Sequence, residues 1–314
     1  MCYSALVWAD FRKYQRTFGA GIDIKAFIQL YADRAQNPRL RIPKGIDLAF
    51  ADDASAGAGE IRAHIQAWNA ALVTRSELDL FKQAKRLADA ERKLALKETK
   101  TALNDQRIAC NRIRQLKRWI ADAKRTLHEP VRDDRIYPDW HAPVLVEEGS
   151  SRIVRPMRYH LRPAGKDPSI DRTKAGQVSG TYNARRDNLT RFWRHQFGHT
   201  HGLMVASVFY ENVDDGQGGG MELQFTPRTG DEMLIACLWS HWTDPAGGRP
   251  DLDSFAAITD EPEPEVAAAG HDRTIINLKP EHVDAWLNPT GNTAAMQAIF
   301  DDKRHPYYEH RKAA

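Results

Sequence analysis

Four short apolar runs decide the fold: LMVASVFY (203–210), MELQFT (221–226), MLIACLW (233–239) and SFAAIT (254–259). Each is short and apolar and holds β-branched or aromatic residues, and turn-forming stretches such as DDGQGGG (214–220) and DPAGGRPD (244–251) separate them. Runs of this length between turn signals predict strands. Further upstream, Trp8, Phe11, Tyr14 and Phe18, then Ile24, Phe27, Ile28 and Tyr31, recur at helical spacing on either side of GAGID (19–23), which predicts two short helices. Near the other end PEHVDAWLNP (280–289) starts with Pro280 in an N-terminal helical position and stops before Pro289. Between these regions, EPVRDDRIYPDWHAP (129–143) and RPAGKDPSIDRTKAG (162–176) are dense in Pro, Gly and Asp, and residues 129–181 read as loops rather than a packed element. The class is α+β: a mixed or antiparallel β core, mainly in the C-terminal half, with flanking helices.

One segment differs from all of this. FKQAKRLADAERKLALKETKTALNDQRIACNRIRQLKRWIADAKRTL (81–127) has no Gly or Pro and is rich in strong helix formers. Leu80, Leu87 and Leu94 recur at seven, and Ile113, Leu116 and Ile120 at three and four. A single helix from Ser76 to Leu127 would reach about 75 Å at 1.5 Å per residue. An inserted long helix or a hairpin turning near Asn104 and Asp105 is therefore expected, the hairpin being easier to attach to a compact domain. Residues 81–125 hold 14 Lys and Arg against 5 Asp and Glu, whereas the whole chain carries only +3, so this segment holds the basicity. Its charge suits a solvated helix face, or a surface for DNA, another protein or a second copy.

Composition excludes several classes. At 314 residues, with 42% hydrophobic and 28% charged residues, the chain is large enough for a proper core. No apolar run approaches the roughly 18 residues of a membrane span, and no signal-peptide pattern opens the chain, so a cytoplasmic, nucleoid-associated protein without membrane partners is expected. Cys2, Cys110 and Cys237 are odd in number and dispersed, which argues against a disulfide framework. No CxxC pair points to zinc. His195, His199 and His201 in HQFGHTH (195–201) have ligand-like spacing, but no nearby carboxylate or HExxH pattern accompanies them, so they read as surface or structural histidines. Neither a metal nor a cofactor is expected.

Glu211 closes a run of β-formers in SVFYENV (207–213). A carboxylate at the end of a buried strand has a raised pKa and suits general acid chemistry, whereas an exposed strand-end charge has no such role. AAAGHDRTI (267–275) places a His, an Asp and an Arg together after a Gly, a common loop sequence by itself.

In order, however, MC at the start, YNARRD (182–187), VFYENV (208–213), MLIACLWSHWTDP (233–245), SFAAITDEPEPEVAAAGHDRTIINL (254–278) and DAWLNP (284–289) resemble the SOS response-associated peptidase family. That family shows Met-Cys-Gly-Arg, Asn-Ala-Arg, Gly-Phe-Tyr-Glu-Trp, Gly-Leu-Trp, Ile-x-Thr, His-Asp-Arg-Met-Pro and Trp-Leu in the same sequence. The resemblance is loose over residues 1–50 and good over about 155–290, and by it IVRPMRYHLRP (153–163) stands where members carry a Met-Arg-Trp-Gly-Leu-Ile-Pro strand. It implies a divided domain, with residues 1–55 and 131–314 forming the family fold and 56–130 a basic helical, coiled-coil-like insertion.

The resemblance also implies chemistry. Its members sense abasic sites in single-stranded DNA and become covalently attached through an N-terminal Cys. Once Met1 is gone, Cys2 would offer an α-amine of pKa about 7.7–8 beside a thiol of about 8.5. The pair can form a Schiff base with the abasic aldehyde and then close a thiazolidine. By matching motif, Asn183 would orient Cys2, Glu211 would shuttle protons, His271 would stabilise the imine stage, and Arg185 and Arg273 would hold DNA phosphates. The family is also proposed to expose its Cys by autoproteolysis. Departures sit at Tyr3-Ser4, where members have Gly-Arg, at Asn212, at Tyr159-His160 and in HDRTI, so Arg12 or Arg16 would have to supply the lost basic contact. Two other classes remain open from the residues: an N-terminal-nucleophile amidohydrolase using Cys2, and a noncatalytic DNA-binding scaffold using the basic segment.

Overall fold

The computed structural model describes residues 3–313. The chain divides into two compact units: one runs up to Asp53 and resumes at His128, and the other spans Ala54–Leu127.

The first unit is α+β. Its strands, among the described residues, are β1 Ser4–Val7, β2 Gly21–Ile22, β3 Arg135–Ile136, β4 His141–Glu148, β5 Ser151–Tyr159, β6 Asn183–Arg185, β7 His201–Asp214, β8 Gly220–Pro227, β9 Met233–Trp242, β10 Leu252–Asp260, β11 Thr274–Ile275 and β12 Tyr308–Lys312. Five of them close on themselves: β10 pairs with β5 in parallel, and β5–β4, β4–β7, β7–β9 and β9–β10 are antiparallel. Alternate residues fill the core: Val144 and Val146, Met157 and Tyr159, Met204 and Ala206, Ile235 and Cys237, Phe255 and Ala257. This is the period of two by which one face of each strand points inward. Gly202 permits close packing between β7 and β4, since an added Cβ would lie 2.8 Å from Val144 Cγ1.

Helices α1 Phe11–Phe18, α2 Ile24–Gln36 and α3 Lys44–Ala49 follow β1. The two expected N-terminal helices are present, each opened by an aspartate whose side chain accepts from a first-turn N–H: Asp10 from Arg12 and Asp23 from Ala26. Gly19 ends α1 in the left-handed region at φ 63°, a conformation glycine adopts without strain. Tyr14 pins α1 to the strands, its hydroxyl donating to the Pro143 carbonyl (3.2 Å) and accepting from the Val205 N–H (3.3 Å).

Residues 129–181 are not loop throughout, because β3, β4 and β5 lie inside them. Pro143 and Pro156 sit directly opposite one another in the β4–β5 pair, which confines the missing backbone donors to one rung. After β5 the chain is held by charge. Buried Asp171 accepts from Arg158 Nη1 (2.8 Å) and from Arg162, whose guanidinium lies 4.3 Å from the Trp242 ring. Nearby, Asp139 and His160 adopt positive φ values of 73° and 155°. His160 is kept there by Asp139 on Nδ1 (2.7 Å) and Ser179 on Nε2 (3.0 Å), contacts that offset the strain of a non-glycine residue in this region.

His201 of the HQFGHTH stretch is structural. It stacks 3.8 Å from the Trp286 ring, its Nδ1 donates to the Trp286 carbonyl (2.9 Å), and its Nε2 accepts from the Gly198 N–H (2.8 Å). Burial pushes its pKa down to about 3 and that of His141 down to about 4. Depressed imidazole pKa values stabilise the fold above the ordinary 6.5, and that stability is lost as pH falls toward the folded values. Each contributes a slope of about 1.4 kcal/mol per pH unit between pH 6.5 and 5. His201→Gln should therefore remove about 1.4 kcal/mol per pH unit from the acid-side slope of urea-unfolding free energy. An unchanged slope would mean the imidazole is protonated in the fold.

The second unit is a helical hairpin, α4 Ala58–Leu96 and α5 Lys100–Lys124. The turn falls at residues 97–99 rather than near Asn104 and Asp105. Thr99 caps α5 by accepting from the Ala102 N–H (3.2 Å), while Asp105 lies within the helix and pairs with Arg86 of α4 at 2.5 Å. Ala102, Ala109 and Leu116, seven residues apart, are buried on α5, and Ser76 and Ala90 on α4. Small residues in the seam bring the two helices close.

The remaining helices are short: α6 Pro130–Asp133, α7 Pro264–Ala268, α8 Val283–Leu287 and α9 Thr293–Asp301. No helix is long and apolar enough to cross a membrane, among the described residues.

Candidate functional site

Glu211 lies near the end of β7, at a register position opposite Leu223 of β8, and its side chain is 2% exposed. His271 follows α7, and its Nε2 lies 3.3 Å from Glu211 Oε2. The other imidazole nitrogen, Nδ1, is 2.9 Å from the Arg273 carbonyl oxygen and 3.3 Å from the Arg273 N–H; with the proton on Nδ1 the shorter contact is made and Nε2 keeps a lone pair facing the carboxyl. A protonated Glu211 then donates across that gap. Burial favours this state, pushing the Glu211 carboxyl up to about 8 and lowering the His271 imidazole. The pair is a neutral acid beside a neutral base, able to give a proton and recover it near neutral pH.

Asn183, the first residue of β6, is buried and hydrogen-bonded to the Tyr159 hydroxyl at 3.5 Å. Strand β6 runs parallel to β10, with Asn183 beside Ala257 and Arg185 beside Thr259, and β10 pairs on with β11 directly after His271–Arg273. Glu211 thus meets His271, and Asn183 meets Tyr159. Arg185 points to solvent, its guanidinium forked onto Asp187 (3.1 and 2.7 Å) with both side chains about half exposed. Such an exposed pair is worth little and exchanges readily for another anion. Arg273 differs: it is 7% exposed, with Nε 3.8 Å from Asp272. Cys2 lies outside the described residues.

Tyr3, the next residue, donates its N–H to the Tyr210 carbonyl at 3.2 Å, and its backbone also stabilises the Glu211 carboxylate. Arg135, which no motif of the sequence marks, also meets β1. Its Nη2 donates to Ser4 Oγ (2.8 Å) and Glu222 Oε1 (2.5 Å), and its guanidinium sits 3.6 Å from the Tyr210 ring and 4.9 Å from that of Tyr137. A guanidinium therefore fastens β1 at Ser4. Arg12, one of the residues expected to supply the basic contact, is paired with Asp10 at 2.8 Å. Among the described residues, no group of three or more His, Cys, Asp or Glu is arranged to hold a metal ion.

The model of the family described as SOS response associated peptidase (SRAP) matches residues 99–312. The chain belongs to this family. The SRAP match takes in α5 and everything from β3 to β12, including Asn183, Arg185, Glu211, His271 and Arg273; it begins after β1 and α4. Among solved structures, a protein from Bordetella bronchiseptica is 20% identical with a TM-score of 0.46, covering 58% of this chain and 87% of that one. A protein from Bacteroides thetaiotaomicron is 15% identical at a TM-score of 0.47 (58% and 78%), and a phage-related protein from B. bronchiseptica 17% identical at 0.44 (61% and 85%). No curated protein matches the sequence. SRAP membership places the chain among proteins associated with the SOS response to DNA damage.

Proposed function

We propose that this SRAP protein senses abasic sites in single-stranded DNA and becomes covalently attached to them through Cys2. The observation that carries this reading is the buried Glu211–His271 pair, 3.3 Å apart, with Glu211 on the strand to which Tyr3, the residue after Cys2, is hydrogen-bonded.

The chemistry uses both nucleophiles of an N-terminal Cys. The ring-opened abasic site presents an aldehyde, and the Cys2 α-amine adds to its carbon to give a carbinolamine. Protonated Glu211 delivers a proton to the hydroxyl, which leaves as water, and an imine forms. The Cys2 thiolate then adds to the imine carbon, the nitrogen takes up a proton, and a five-membered thiazolidine results. One water is released overall. His271 supports Glu211 by accepting and returning its proton, and Asn183 orients the α-amine. Arg185 exchanges Asp187 for a DNA phosphate, a geometry suited to its fork. Arg273, set beside His271, adds positive charge behind the strand-borne phosphate. Removal of Met1, by the protein itself or by an aminopeptidase, unmasks the amine.

The test is a single-stranded oligonucleotide with one abasic site, incubated with wild type, Cys2→Ala and Cys2→Ser and resolved under denaturing conditions. Wild type should give a denaturant-resistant adduct and Cys2→Ala none. Cys2→Ser, which closes a less stable ring, should give mainly a reducible imine. No adduct from wild type whose intact mass confirms Met1 removal would refute the reading. Turnover of a small amide by Cys2 without DNA would replace it with an amidohydrolase.

A further inference from the structure

The second unit segregates its charge. Helix α5 has two acids, and both are engaged: Asp105 pairs with Arg86 across the seam, and Asp122 with Arg125 at 2.9 Å. Another cross-hairpin pair, Arg112 to Asp79 at 2.7 Å, uses a cation that faces α4. What is left over lies on the far side. Lys100, Arg107, Arg114 and Arg118 are all exposed, and at 100° per residue they fall within about 40° of one another, opposite buried Leu116. Their stripe runs about 27 Å along the helix. No acid forms an ion pair with any of the four among the described residues.

Two of these guanidiniums are positioned without being neutralised. Arg107 Nη2 donates to Asn104 Oδ1 (2.9 Å) and Arg114 Nη1 to Asn111 Oδ1 (3.4 Å), each three residues earlier. An Asp there would have cancelled the charge; an Asn directs the side chain and leaves it cationic. The repeat of an Asn and an Arg at seven-residue spacing keeps both on one line.

We infer that this outer face of α5 is a binding surface for the phosphate backbone of duplex DNA, separate from the abasic-site chemistry and independent of Cys2. Charge decides against a second copy of the hairpin, since two such stripes repel. It favours a polyanion, because neutralising phosphates with Lys and Arg releases condensed counterions. A single strand is held by stacking its bases on aromatic rings. The stripe offers no ring at Lys100, Asn104, Arg107, Asn111, Arg114 or Arg118. A rigid line of cations suits a stiff duplex instead.

The experiment uses full-length protein and a 30-base-pair undamaged duplex, with binding followed by fluorescence anisotropy between 50 and 300 mM NaCl. Each phosphate contact adds about 0.9 to the salt slope. The quadruple variant Lys100→Gln, Arg107→Gln, Arg114→Gln, Arg118→Gln should therefore lower that slope by about 3 to 4 and weaken binding at 50 mM at least about tenfold. Its helix content, by circular dichroism, should be unchanged because Gln is a good helix former. A control removing four exposed cations of the other unit, Lys25, Lys174, Arg191 and Arg194, should keep the wild-type slope within about 1. Equal slopes for wild type and the stripe variant overturn the inference, as does an equal drop in the control, which would make net charge sufficient. Displacement of the duplex by an equal length of single strand, or by an acidic polypeptide at the same charge concentration, would also overturn it. Adduct formation on a short abasic single strand should be unchanged in the stripe variant; its loss would merge the stripe with the Cys2 site. Wild type that binds duplex but forms no adduct would sink the crosslinking proposal and leave this one standing.

Discussion

Glu211→Gln should slow adduct formation on abasic single-stranded DNA by about 100- to 10,000-fold, the range expected when a general acid is removed from a proton-transfer step. The amide matches the carboxyl in shape and can still face His271, so the loss reports the proton and not the packing. The same substitution should alter stability in the opposite sense. Burial raises the folded carboxyl to about 8, above the 4.5 of an unfolded chain. A raised acid stabilises the fold below its unfolded pKa, and that contribution is lost as pH climbs through the folded value. Wild type should thus lose on the order of 4 kcal/mol of unfolding free energy between pH 4.5 and 8 through this residue, a loss Glu211→Gln does not share. Rates on a single-turnover gel and urea midpoints at pH 5 and 8 check the two halves. Wild-type adduct rates in the variant would remove Glu211 from the chemistry.

Asp171→Ala should destabilise the first unit by about 3–5 kcal/mol, because it strands two guanidiniums that are nearly buried. Arg158, Arg162 and Asp171 have side chains 12%, 10% and 9% exposed. Burial opposes the Asp171 charge, but hydrogen bonds from Arg162 and Arg158 outweigh it and hold the carboxyl below its usual range. A depressed acid stabilises above its unfolded pKa, so the penalty should be full at pH 7 and shrink as pH falls below about 4. Combining Asp171→Leu with Arg158→Met and Arg162→Met should recover much of the loss, since an apolar replacement leaves no charge unpaired. Denaturant unfolding of the three proteins decides it; a cost for Asp171→Ala below about 1 kcal/mol would show that water already reaches the cluster.

The strands between residues 203 and 259 were legible because their apolar runs are short and their turns are rich in Gly and Asp. Strand β4 was not, since it contains a proline; β5, with a proline and three arginines, was legible only through the resemblance of IVRPMRYHLRP (153–163) to a family strand. Only the fold shows that the prolines face each other and that Arg155 meets Asp23 at 3.0 Å and Glu148 at 2.8 Å. The hairpin turn is hidden for a similar reason: Asn104-Asp105 reads as a turn locally, yet Asp105 serves a helix partner 19 residues earlier. For the site, a residue list could be drawn from motif order, but the proximity of Glu211 and His271, 60 positions apart, depends on β7 and the segment after α7 meeting in space. Arg135 gave no signal at all, since its partners Ser4 and Glu222 are distant in sequence. Arg273 matched a motif, and nothing in that motif indicated that its side chain would be buried.

Strand β1 pairs Ala5 with Ile136 of β3 and with Phe209 of β7, so its nearest partner is more than 130 residues away and its main one about 200. A chain made from its N-terminus at 5–20 residues per second cannot form the β1–β7 ladder until about 10–40 s after β1 itself has been synthesised. Until β3 is made, about 130 residues on, the opening segment has no strand to join, while α4 and α5, whose contacts are local, are free to form. The strand that follows the proposed nucleophile thus waits for partners far downstream, and enzymes that trim nascent chains meet the N-terminus before the β1–β7 ladder forms.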